Sequence, residues 1–89
     1  MDIFSTRDLQ LAATLSTLGH KPIKLEDHKT KPNTKLFVFT NEANKDGNTP
    51  EQDALHYYAR EVRVEPNALF HYNSTLREWV KSELKLDTE

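Results

Sequence analysis

Apolar residues along the chain follow two periodicities, and the switch between them falls at residues 35–40. Lys35-Leu36-Phe37-Val38-Phe39-Thr40 is a β-branched and aromatic run, too short for an amphipathic helix, with Pro32-Asn33 before it and the polar stretch from Asn41 to Pro50 after it. That combination predicts a buried strand. Phe37 and Phe39 alternate with Leu36 and Val38, so both faces need cover, from two sets of helices or from one set and a partner subunit. Ile23-Lys24-Leu25 also alternates, and 29–34 reads as the loop of a hairpin joining these two strands as antiparallel neighbours. Val62-Arg63-Val64 is short and alternating and predicts a third strand at the sheet edge.

Around these strands the spacing turns helical. Ser5 reads as an N-cap with Asp8 three residues on, Phe4 and Leu9 are placed for a hydrophobic staple, and Leu11, Ala12, Leu15 and Leu18 form a stripe. Gly19 supplies the left-handed residue that ends such a helix, which predicts helix from Thr6 to Leu18. Thr49, Pro50 and Gln52 make a capping-box pattern with proline at the first helical position, predicting helix from Pro50 to about Arg60 with Ala54, Leu55, Tyr58 and Val62 on its apolar side. Pro66 opens a last, longest helix with the stripe Leu69, Tyr72, Leu76, Trp79, Val80 and Leu84. Lys81 and Lys85 complement its dipole, residues 86–89 are expected to fray, and the polar loop 41–49 with Asp46-Gly47 is expected to be mobile. The order is α-β-β-α-β-α, an α+β two-layer sandwich with a small antiparallel sheet packed on helices.

Length and composition narrow this further. Eighty-nine residues make a single domain, 1–89, since halves of that size bury too little to stand alone. The absence of cysteine excludes a disulfide framework, thiolate zinc sites and a thiol nucleophile, and points to the cytoplasm. Twelve basic against fourteen acidic residues, a net charge of −2 and no block of one sign argue against generic binding to DNA or anionic membranes. Met1-Asp2-Ile3-Phe4 lacks a basic n-region and an apolar h-region, so neither a signal peptide nor a spanning helix is expected. At 36% hydrophobic residues the core is modest, and a homodimer burying one apolar face would be an economical route to stability.

Candidate chemistry is sparse. Residues 42–48 alternate oxygen-bearing side chains up to Gly47 in the manner of a calcium loop, but Glu42 stands first, Pro50 interrupts, Asp53 replaces the closing Glu and a strand precedes, so a solvated turn capping the next helix is the better reading. His20, His28, His56 and His71 have no partner at metal-ligand spacing, and no metal or other cofactor is expected. Glu26-Asp27 and Glu51 with Asp53 read as exposed solubilising charge rather than acid–base pairs. No serine sits in a nucleophile elbow and no glycine loop cradles phosphate, so no catalytic residue is assigned and an enzyme is not expected. What remains is an alternation of cations and aromatics: Tyr57, Arg60 and Arg63, then His71, Arg77, Trp79 and Lys81. Such residues serve as protein hot spots or stack bases and pair phosphates, although Tyr58, Tyr72 and Trp79 also fall on core stripes.

Phe4, Thr6, Asp8-Leu9, Leu11-Ala12-Ala13, Leu15 and Gly19-His20-Lys21, then Phe37-Val38-Phe39, Tyr57-Tyr58, Val64, Pro66 and Phe70, resemble a family of small domains of unknown function found in bacteria and in phages or other mobile elements. The resemblance covers nearly the whole chain but rests on core and capping residues. It implies a small helix-and-sheet domain and a mobile-element context, with no assigned activity. The expectation is therefore a non-enzymatic interaction protein that binds a host protein, for example as an inhibitor of a defence system, or a copy of itself. The alternative is a nucleic-acid or nucleotide-binding module using the Arg/aromatic patch.

Overall fold

A computed structural model of the chain describes residues 3–31 and 34–87, the last four by their backbone alone. Its elements are β1 (Ile3–Thr6), α1 (Leu9–Thr17), β2 (Lys24–Asp27), β3 (Lys35–Thr40), α2 (Pro50–Tyr58) and α3 (Pro66–Asp87). The class is α+β as expected, but the order is β-α-β-β-α-α, and the sheet runs β1-β3-β2 with both pairings antiparallel.

The third strand is thus the N-terminal Ile3-Phe4-Ser5-Thr6, not Val62-Arg63-Val64. The central strand has two edges, and β1 and β2 occupy both, with Phe4 opposite Phe39 and Leu25 opposite Phe37. Residues 62–64 pair with none of these strands; they lie in the link between α2 and α3, where Val62 and Val64 are half-buried. Ser5 is consequently a strand residue, and α1 starts later than its sequence suggested. Thr6 Oγ1 accepts from the Asp8 amide, and Asp8 is the true N-cap, its carboxylate accepting from the Leu11 amide at 3.1 Å.

One face of the sheet carries the core. Phe37 and Phe39 pack with Leu11, Ala12, Ala13 and Leu15 of α1, Ala54 of α2 and Leu76 of α3, with Phe4 and Leu25 alongside. On the opposite face Val38 is buried but lies outside that cluster, between its register partners Ser5 and Lys24, and Leu36 stands beside Glu26. Lys24 and Glu26 form an ion pair at 3.1 Å across this face. The helices therefore share one layer, so of the two covers expected for the sheet, two sets of helices or one set and a partner subunit, the first is not found among the described residues; on the second face Ser5, Lys24 and Glu26 flank Val38 and Leu36.

Helix α1 is buried at every position from Leu11 to Ser16. Its alanines admit close approach, and its hydroxyls are satisfied internally: Thr14, Ser16 and Thr17 donate to the carbonyls of Gln10, Ala12 and Ala13. It ends in a Schellman motif, with the His20 amide on the Leu15 carbonyl, the Gly19 amide on the Ser16 carbonyl and Gly19 at φ +100°. The capping box at α2 forms as expected, Thr49 accepting from the Gln52 amide and Gln52 from the Thr49 amide. Loop 41–49 is organised by Asn44, whose carbonyl oxygen accepts from the Asp46 and Asn48 amides while its amide group donates to the Leu18 carbonyl. The last helix is the longest and continuous to Asp87; of the residues expected to fray, Thr88 and Glu89 lie outside the described residues. None of the described helices is long and apolar enough to cross a membrane.

Candidate interaction surface

Helix α2 presents a different face inward from the one its apolar residues suggest. Pro50, Asp53 and Ala54 are buried and Tyr57 is half-buried against the core, a stripe at i, i+3, i+4 and i+7. The odd member is Asp53, expected on the surface and in fact buried. It is there because His20, just past the end of α1, is buried opposite it, with Nε2 2.7 Å from Oδ2 and side chains only 4% and 6% exposed. A carboxylate oxygen can only accept, so the imidazole Nε2 carries the hydrogen and donates. Sequence spacing gives His20 no partner; the structure makes it half of a buried tie between the end of α1 and α2.

Placing Asp53 inward turns two apolar side chains outward. Leu55 is 68% and Tyr58 62% exposed, although both belong to the apolar side expected from sequence. Tyr58 stands edge-on to Tyr57, ring centroids 5.3 Å apart, and its hydroxyl donates to Asp8 Oδ2 at 3.3 Å. Partial burial of the rings, followed by the negative charge of Asp8, raises both tyrosine pKa values above 10.0, so both phenols stay neutral donors. Asp8, Tyr57 and Tyr58, together with Arg60 and Val62, line an open cavity of about 560 Å³.

Arg60 holds an unusual place there. Helix α2 ends in the same Schellman geometry as α1, the Glu61 amide on the His56 carbonyl and the Arg60 amide on the Tyr57 carbonyl. The left-handed position that Gly19 fills in α1 is occupied here by Arg60 at φ +61°. A Cβ at that conformation costs roughly 1 kcal/mol, which glycine would avoid. No local preference accounts for an arginine at this position.

The seven residues picked out by sequence are not one patch. Tyr57 and Arg60 share the cavity; Arg63 is exposed on the link after it but does not line it. His71 is exposed and edge-on to Tyr72 at 5.4 Å. Trp79 is a core residue, half-buried with its ring 6.5 Å from that of Phe37. Arg77 and Lys81, one helical turn apart, line a separate cleft with Arg7. Tyr58, Leu55 and Asp8 were missed, and the signal that could have found them was the 50-53-54-57 stripe, legible only if an aspartate is admitted to a core face. Among the described residues no group of three or more His, Asp or Glu side chains is arranged to hold a metal ion. No family model matches this chain, and neither a curated protein nor a solved structure matches it.

Proposed function

We propose that this chain is a non-enzymatic interaction protein that binds another protein stoichiometrically through the surface at the C-terminal end of α2. The observation that carries this reading is Arg60, kept in a left-handed position that favours glycine and sharing a cavity with the outward-facing Tyr58. Conformational strain of this kind gathers where a side chain is needed for something other than folding. Tyrosine and arginine are the residues most enriched among interface hot spots, since each brings large rigid area and directed donors. The resemblance to domains carried by bacteria and mobile elements makes a host protein, such as a component of a defence system, the partner class to seek first, with a second copy of this chain as the other.

The nucleic-acid alternative has less support, because Arg60 and Arg63 are separated from Arg77 and Lys81 and the cavity beside Arg60 includes the carboxylate of Asp8. The test is affinity capture from host lysate on the full chain at several salt concentrations, beside Tyr58→Ala and Arg60→Ala chains and a light-scattering molar mass. A partner retained at 1:1 by the parent and lost, by tenfold or more in affinity, from both variants is expected. Recovery of nothing, with a monomeric mass, overturns the proposal.

A further inference from the structure

We infer that the cleft between the β1–α1 connection, the start of β3 and the C-terminal half of α3 is a binding site for a small amphipathic phosphomonoester, a phosphate on an aryl or short alkyl body. The cleft encloses about 270 Å³, at the small end of ligand pockets. Its floor is apolar, from Leu9, Phe37 and Val80, and its rim is cationic, from Arg7, Arg77 and Lys81. This surface lies apart from the one proposed to bind protein and does not depend on it.

Three features point to an anion. First, the chain as a whole carries a net charge of −2, so three cations converging from two separate segments on one cleft are not a reflection of composition. Second, Arg77 and Lys81 stand at i and i+4 on α3, a like-charge spacing that costs a helix a few tenths of a kcal/mol. Their neighbours relieve little of that: Arg77 donates to the neutral Asn73 oxygen at 3.2 Å, and Lys81 has Glu78 at 3.8 Å with both side chains well exposed. Third, among the described residues Arg7 has no carboxylate within ion-pairing distance. Lys35 also lines the cleft, but its ammonium is already bonded to the exposed carboxylate of Asp27, so its charge is not counted as available to a ligand.

The shape of the site selects the ligand. Two guanidinium forks and an ammonium suit a phosphate dianion, since arginine pairs two phosphate oxygens at once. An inorganic anion would leave Leu9, Phe37 and Val80 unused, whereas an aryl or alkyl body would cover them.

The experiment titrates phenyl phosphate into isotope-labelled full-length chain and follows amide and side-chain resonances, with inorganic phosphate and benzoate in parallel. Saturable shifts confined to the cleft residues are expected, with inorganic phosphate and benzoate each at least about tenfold weaker, and with Arg7→Gln and Arg77→Gln each weakening phenyl phosphate roughly 10- to 100-fold, as for loss of a charge-assisted hydrogen bond. Both arginines are exposed, and unchanged Trp79 fluorescence confirms that the variants fold. A phosphotyrosyl peptide binding more tightly than phenyl phosphate would place the head group on a protein, and weaker binding would place it on a small molecule; either supports the site. Shifts that are non-saturable or scattered, benzoate binding as tightly, or unaltered affinity in both glutamine variants would overturn it.

Discussion

Replacing Asp53 by alanine is the most informative single change in this fold, because it removes one member of a pair that is buried on both sides. The 2.7 Å contact between His20 Nε2 and Asp53 Oδ2 links the end of α1 to the first turns of α2, with almost no access to water. Alanine leaves the imidazole donor without an acceptor, which by itself costs about 1–3 kcal/mol, and breaking a buried pair by removing one partner costs roughly 3–5 kcal/mol in all. For a chain of 89 residues whose total stability is on the order of 5–10 kcal/mol, that is close to half. The melting temperature should fall by roughly 12–40 °C, at about 4–8 °C per kcal/mol for a domain this size. Urea unfolding followed by the fluorescence of the single tryptophan, Trp79, packed near Phe37, should show the midpoint lowered by roughly 2–5 M for a slope of about 1–1.5 kcal/mol/M. Asp53→Asn keeps an acceptor at the same place and should cost only about 1 kcal/mol more than the parent. The double change His20→Leu with Asp53→Leu should recover much of the loss, because no lone polar group is left buried. The reasoning fails if Asp53→Ala costs less than about 1 kcal/mol, or if asparagine is as harmful as alanine.

Two other outcomes follow from the α2 surface. Arg60→Gly relieves the left-handed backbone and should stabilise the chain by about 0.5–1 kcal/mol, raising the melting temperature by roughly 3–8 °C while abolishing partner binding; no gain in stability would show that the conformation is unstrained. In an alkaline ultraviolet titration Tyr57 and Tyr58 should ionise above 10.0, because burial and then the charge of Asp8 favour the neutral phenols. In the unfolded chain these tyrosines lose their protons first, so stability should decline as pH rises past 10, and Asp8→Asn should diminish both effects. Titration of Tyr57 and Tyr58 at or below 10.0 would contradict the arrangement.

By itself the sequence determined those features that neighbouring residues decide. Thr49-Pro50-Gln52 sets the start of α2, Gly19 ends α1, Pro66 opens α3, and β2 pairs antiparallel with β3, because caps, turns and alternation are written within a few positions of one another. Tertiary structure decided the rest. Ile3–Thr6 becomes a strand only because β3, more than thirty residues away, offers it an edge, and with that edge filled the position beside β3 is closed to Val62-Arg63-Val64. Asp53 belongs to the core only because His20 meets it there, and that one pairing rotates α2 so that Tyr58 and Leu55 face solvent. Polarity along the chain assigns a carboxylate to the surface by default. Only a partner distant in sequence can bury it, and here that partner also decided which residues became available for binding.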